Sequence, residues 1–296
     1  RSRFLCRGGR NEGQINLMPN LFNAGERVAR VRITAGDALP GVADSAGSDA
    51  VVMDDFIYGE PQPLLLPVTL VNPRTVTYTD VDGDMVTVKT TKGSFETNDF
   101  RVIATDGVAG GGQLVEMALA DSPGHPFAKS KLTFTAKRTL DGGNGFVNVG
   151  YINANGMDLG TVKIPGDLGR IEAGTGGDAP AVKSLTVQSI GAVGTTTQEF
   201  GGSLTTLING RVGTQIIAAD LNLGQVLISG GSVGDLGKLT IGGRIVGGDT
   251  EGQGSISADG DIGAVKIGGD VLGGAGIDSG SIRADHDIGK VVIGGS

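Results

Sequence analysis

Asp235-Leu236-Gly237-Lys238-Leu239-Thr240-Ile241-Gly242-Gly243 is followed by Asp261-Ile262-Gly263-Ala264-Val265-Lys266-Ile267-Gly268-Gly269, and then by Asp287-Ile288-Gly289-Lys290-Val291-Val292-Ile293-Gly294-Gly295. The step from Asp235 to Asp261 equals the step from Asp261 to Asp287. Gly254-Ser255-Ile256 and Gly280-Ser281-Ile282 keep that same step. A period of this size marks a stacked-repeat architecture. A helical repeat would show apolar residues at i, i+3 and i+4 and few glycines. Here Val265 and Ile267 stand two apart around Lys266, which is strand spacing with the lysine facing outward. The unit therefore reads as one coil of a parallel β-solenoid (β-helix), about 26 residues per coil, with three short strands and three corners.

Stacking coils about 4.8 Å apart puts like on like. Leu236, Ile262 and Ile288 form one expected ladder, Leu239, Val265 and Val291 a second, and Ile241, Ile267 and Ile293 a third. Gly268-Gly269 and Gly273-Gly274 are expected where the chain turns through positive φ.

Upstream the repeat loosens. Leu159-Gly160-Thr161-Val162-Lys163-Ile164-Pro165-Gly166-Asp167 matches Ile262–Asp270 at an offset of 103, one short of four periods. Leu185–Val187, Leu204–Ile208, Ile216-Ile217 and Val226–Ile228 fit less regular coils between them. The fold class is thus all-β: a β-sandwich-like cap over residues 1–143, then a solenoid over residues 144–296. The cap holds most of the aromatics and the prolines Pro61, Pro63 and Pro67, which suit edge strands. Val28–Ile33 and Leu132–Ala136 alternate like half-buried strands, and Asp82-Gly83 between Val76–Thr79 and Met85–Val88 signals a hairpin.

Composition narrows the class. Of 296 residues 54 are Gly, roughly 18% against a usual ~7%, with only ten Pro and no Trp. Irregular Gly spacing excludes collagen, and 39% hydrophobic residues do not describe a disordered tail. A net charge of -8 argues against a nucleic-acid partner. With no run of about 18 apolar residues, no membrane span is expected. Cys6 is the single cysteine, so no internal disulfide forms; around it Arg1–Arg10 is a basic patch without the apolar stretch of a signal peptide, expected to be a processed or frayed end.

Tyr78–Lys89, Phe146–Ala154 and Asp158–Ile164, with the Ile-Gly-Gly coils, resemble large Gly-rich β-strand-repeat proteins of planctomycetes and related bacteria. That resemblance covers most of Val76–Ser296. It implies a secreted or surface-displayed β-solenoid, and it brings no catalytic residues.

Candidate chemistry is sparse. Asp80, Asp82 and Asp84 alternate as ligands of Ca²⁺ often do, yet Thr91 stands where an EF-hand has its twelfth-position Glu. A calcium site and a merely acidic hairpin both fit. Gly273-Gly274-Ala275-Gly276-Ile277-Asp278 matches one copy of a calcium-binding nonapeptide, whose sites need tandem copies. Asp235, Asp261 and Asp287 should stack, as should Asp259 with Asp285; outward hydration, bonds to corner amides and bridging cations are the alternatives. His125 falls in a loop, and Gly260 stands one coil before His286, which suits a solvated corner. There is no nucleophile elbow, P-loop or zinc-ligand spacing.

The expectation is a non-enzymatic, extracellular or cell-surface structural or adhesive protein. Its partners would be surface or matrix material, or itself through end-to-end stacking into a filament. Ile293-Gly294-Gly295-Ser296 ends in phase with the repeat and partway through a coil, so an open β-edge is expected there. The competing class is a carbohydrate-active or carbohydrate-binding β-helix, which would need grouped acids and bases in a cleft.

Overall fold

The computed structural model describes residues 63–105, 110–120, 126–140, 142–198 and 202–295. Cys6 with its basic patch, Val28–Ile33, Pro61 and His125 lie outside the described residues. The chain divides into two compact units, Arg1–Leu64 and Leu65–Ser296, and all described strands lie in the second.

That unit is all-β. It starts with β1 (Leu65–Leu66), β2 (Thr69–Asn72), β3 (Thr75–Thr79), β4 (Met85–Thr90), β5 (Phe100–Ala104), β6 (Gly112–Ala118) and β7 (Leu132–Lys137). Then come β8 (Val149–Asn155), β9 (Leu159–Lys163), β10 (Asp167–Gly174), β11 (Val182–Val187), β12 (Ser189–Ile190) and β13 (Thr205–Asn209). Next are β14 (Val212–Ile217), β15 (Leu221–Asn222), β16 (Gln225–Ser229), β17 (Leu236–Ile241), β18 (Ile245–Val246) and β19 (Ile256–Ala258). Last come β20 (Ile262–Ile267), β21 (Val271–Leu272), β22 (Ile282–Ala284) and β23 (Val291–Ile293).

Two long sheets carry these strands. One runs β1-β5-β6-β8-β10-β12-β15-β18-β21, with β13, β16, β19 and β22 branching from β10; the other runs β2-β3-β4-β7-β9-β11-β14-β17-β20-β23. The β1–β5, β5–β6, β2–β3, β3–β4 and β4–β7 pairs are antiparallel. From β6–β8 and β7–β9 onward every strand pair is parallel, the solenoid-like part of the fold. β6 and β7 therefore each carry an antiparallel neighbour on one side and a parallel one on the other. The division at 143/144 falls inside this unit, and both sheets run through it. Pro63 and Pro67 lie on either side of β1, which among the described residues pairs with β5 only, in keeping with prolines beside an edge strand.

Side-chain alternation builds the core. Leu114, Val149, Leu168, Ile190, Leu221, Ile245 and Val271 form one register column, the first six of them buried. Leu132, Val162, Leu185, Gln215, Leu239, Val265 and Val291 form another. Ile217, Ile241, Ile267 and Ile293 form a third, and Leu236, Ile262 and Ile288 align as the alternation predicts. Lys266 is exposed between Val265 and Ile267. Each fully buried aliphatic chain contributes about 1.5–3 kcal/mol of transfer free energy, and stacking in columns removes both flanks from water at once.

Spacing along the register explains why the upstream match falls one short of four periods. Leu159 pairs with Val182, Val182 with Val212, Val212 with Leu236 and Leu236 with Ile262. These steps are unequal, the second being the longest and the first the shortest. Corner length varies while strand register holds. At one place the ladder also forks. β10 pairs with β12 through Asp167 and Leu168, and with β13 through Glu172 and Ala173. Between the two, the Ile171 N–H donates to Thr206 Oγ1 at 3.2 Å, so the buried Thr206 hydroxyl satisfies an amide beside the fork.

Gly254 and Gly280 of the repeat turn at φ 66° and 62°, but the two Gly-Gly pairs expected to turn do not. Gly268, Gly269, Gly273 and Gly274 all lie outside the positive-φ region, so left-handed turning does not explain them. The Gly268 amide donates to the Ile241 carbonyl at 2.8 Å, and a Cβ on Gly268 would collide with the Gly242 carbonyl oxygen of the neighbouring strand turn. Gly294 stands over Gly268 in the same way, and Gly263 over Gly237. These columns are Gly because one backbone lies against the next.

Candidate metal centre

The β3–β4 hairpin pairs Thr79 with Met85 and closes through Asp80–Asp84. Gly83 takes the turn at φ 98°, a conformation costly for any residue with a Cβ. Inside the loop the Asp80 amide donates to the Asp84 carbonyl at 3.0 Å, and the Asp84 amide donates to Asp80 Oδ1 at 2.8 Å. These bonds close the loop and hold the Asp80 carboxylate against the Asp84 backbone. One oxygen from each of Asp80, Asp82 and Asp84 lies within 4.8 Å of the other two. The expected triad is thus brought together in space.

A second segment closes over it. The Asn144 and Gly145 amides donate to Asp84 Oδ2 at 3.1 and 2.6 Å, and Thr139 Oγ1 donates to the Gly83 carbonyl at 2.8 Å. Gly142 and Gly143 sit at φ 138° and 109°, where a Cβ would strike the Asp82 carbonyl oxygen and the Asp84 carboxylate respectively. This segment links β7 to β8, so the site lies where antiparallel pairing gives way to parallel pairing.

Burial makes the cluster electrostatically tense. Asp84 is fully buried and Asp80 is 4% exposed, while Asp82 is half-buried. Asp84 Oδ1, Asp82 Oδ1 and the Tyr78 hydroxyl are buried with no hydrogen-bond partner among the described residues. Two full carboxylate charges about 5 Å apart repel by about 3 kcal/mol at an effective dielectric of about 20. Accordingly, burial pushes the Asp80 carboxyl up to about 7; contact with the Asp82 carboxyl and the Asp82 and Asp84 charges add to it, and the Asp84 amide opposes it. Burial, then the Asp80 charge, also raises the Tyr78 phenol well above its ordinary range.

Several of the other acidic residues have hydrogen-bond or ion-pair partners. Asp261 donates its amide to Asp235 Oδ1, and Asp287 donates its amide to Asp261 Oδ1, so this row bonds corner amides. Asp259 Oδ2 accepts the Gly230 and Gly231 amides at 3.1 and 3.2 Å, while Asp285 pairs with Arg283 at 3.0 Å. Asp278 is exposed at φ 55° in a turn whose backbone bonds to residues 248–253. His286 is exposed. Among the described residues, three buried carboxylates lie outside those singled out from the sequence, and Asp99 among them accepts the Glu96 amide at 2.8 Å. Asp167 accepts from Ser189 Oγ and from the Ala192 and Val193 amides; Asp158 accepts from the Thr175 amide and hydroxyl. The Tyr78 hydroxyl and the Asn144 and Gly145 amides were not singled out either; the two amides follow directly on the expected division at 143/144.

Comparison with known proteins finds no family model that matches the chain, and no curated protein or solved structure that matches it. Among the described residues no helix is long and apolar enough to cross a membrane.

Proposed function

We propose that the chain is a non-enzymatic structural or adhesive protein of the extracellular space or cell surface. In this reading the parallel region is a β-solenoid with the coil length read from the Asp235, Asp261 and Asp287 repeats, capped by the antiparallel strands, and it acts as a rigid rod. One observation carries the proposal: the register column from Leu114 to Val271 continues without a break through β6, β8, β10, β12, β15, β18 and β21. Each strand of the column is tied to the next by backbone pairing, so neighbouring strands share their stability.

The use of carboxylates supports it. Asp158, Asp167, Asp235, Asp259 and Asp261 accept backbone amides and so hold corners. The resemblance to Gly-rich β-strand-repeat proteins supplies the extracellular setting. The partners are surface or matrix material, or a second copy stacked end to end, with which parallel strands pair by the same backbone bonds.

Electron microscopy of native surface or secreted material, with light scattering of the purified chain over a concentration series, tests the reading. Rods or fibres of uniform width support it, and growth in size with concentration supports self-stacking. Cleavage of an acidic polysaccharide by the purified chain would overturn it in favour of a carbohydrate-active β-helix.

A further inference from the structure

The Asp80–Asp84 loop holds more negative charge than its own hydrogen bonds account for. Asp84 is fully buried, and Asn144 and Gly145 satisfy only its Oδ2. Its Oδ1 has no partner among the described residues, nor has Asp82 Oδ1 or the Tyr78 hydroxyl. Every other buried carboxylate described in the parallel region has its amide or hydroxyl donors. Because Gly142 and Gly143 carry no Cβ, the backbone of residues 142–145 lies directly against the Asp82 carbonyl oxygen and the Asp84 carboxylate.

We propose that Asp80, Asp82 and Asp84, roofed by residues 142–145, bind one Ca²⁺ ion that clamps the β3–β4 hairpin to the start of β8. The donors are hard carboxylate oxygens only, which selects a hard cation over zinc or copper. Three converging carboxylates on an irregular loop suit the flexible six-to-eight-oxygen shell of Ca²⁺. Mg²⁺ demands a near-ideal octahedron and usually keeps several waters with one or two carboxylates. Asp82, the half-buried member, leaves the side through which ion and water enter. The role is structural: Asp84 already ties the hairpin to residues 144–145, and the ion would neutralise the charge that this tie brings together. This reading of the loop does not depend on what the parallel region binds.

The test uses the full chain, stripped with chelator and dialysed. Isothermal titration with CaCl₂ alone should show one saturable site. Terbium should give luminescence sensitised by the nearby Tyr78, displaced by Ca²⁺. Calcium at a hundredfold excess over Kd should raise Tm by about 5–10 °C. Asp82→Asn and Asp84→Asn should each weaken binding at least tenfold. Asp84 accepts two amides, so its variant is open to a folding defect. Asp82 accepts no described backbone amide, and Asp82→Asn should fold with a calcium-free Tm at or above that of the parent. Asp278→Asn, in the exposed turn, should leave binding unchanged. No heat and no Tm shift at several millimolar Ca²⁺ would overturn the proposal. So would undiminished binding by Asp82→Asn, loss of binding in Asp278→Asn, or Mg²⁺ binding as tight as Ca²⁺.

Discussion

Asp235 Oδ1 accepts the backbone amide of Asp261 at 2.9 Å, and Asp261 Oδ1 does the same for Asp287 at 3.0 Å. A row of like charges is thereby turned into a row of charge-assisted bonds running up one corner. Asp261→Ala removes the acceptor for the Asp287 amide, and an expected loss of about 1 kcal/mol follows, since this corner is partly solvated. Asp261→Asn keeps an acceptor oxygen and should lose less than half as much. Urea denaturation of the two variants beside the parent checks the ranking; equal losses would mean that charge, not the acceptor, matters.

Gln215 sits in the apolar column between Leu185 and Leu239, fully buried, and neither its Oε1 nor its Nε2 has a partner among the described residues. A buried amide left unpaired costs about 1–3 kcal/mol. Gln215→Leu restores the column at similar volume and should therefore raise Tm by about 2–12 °C, given about 2–4 °C per kcal/mol for a domain of this size. Thermal melts followed by circular dichroism measure this directly. A fall in Tm would show that Gln215 has a partner which the geometry of the column does not reveal.

The two cases differ in how far the sequence exposes them. Leu236, Ile262 and Ile288 are visible because successive corners there have one length, so equal spacing in sequence is equal height in space. Gln215 is hidden because the step from Val182 to Val212 is longer than the step from Val212 to Leu236. With no fixed period, Ile216-Ile217 looks like the inward pair when Gln215 and Ile217 are the buried ones. The acidic loop is intermediate. Asp80, Asp82 and Asp84 alternate in the open, but the Asn144 and Gly145 amides that grip Asp84 lie far along the chain, beyond β5, β6 and β7. No local pattern encodes a contact of that separation. Gly content was legible as architecture, but composition does not distinguish a glycine needed for φ, such as Gly254 or Gly280, from one needed for clearance, such as Gly268.

That distinction is testable within one repeat. Gly268 and Gly273 both sit in Gly-Gly pairs outside the positive-φ region. A Cβ on Gly268 would collide with the Gly242 carbonyl oxygen, whereas one on Gly273 meets nothing nearer than the Ser279 carbonyl oxygen at 3.7 Å. Gly268→Ala should therefore cost about 2–4 kcal/mol by forcing two backbones apart. Gly273→Ala should be neutral or stabilising by up to about 1 kcal/mol, because alanine restricts the unfolded chain. If both were equally harmful in denaturant titrations, backbone clearance would not be the reason for these glycines.

The strongest test of the stacked core contrasts neighbours in β20. Ile267 is 1% exposed and pairs with Ile241 on one side and Ile293 on the other, while Lys266 points to solvent. A carboxylate at 267 would have to be desolvated inside an aliphatic column with no partner cation, so Ile267→Asp is expected to cost more than about 4 kcal/mol. Because each strand is held by the strands beside it, the damage should spread. Hydrogen exchange should show lost protection in β17 and β23 as well as in β20, with β3 and β4 unaffected. Lys266→Asp, one residue away, should change stability by no more than about 0.5 kcal/mol. Loss of protection confined to β20 in Ile267→Asp would mean that the columns do not share their stability across strands.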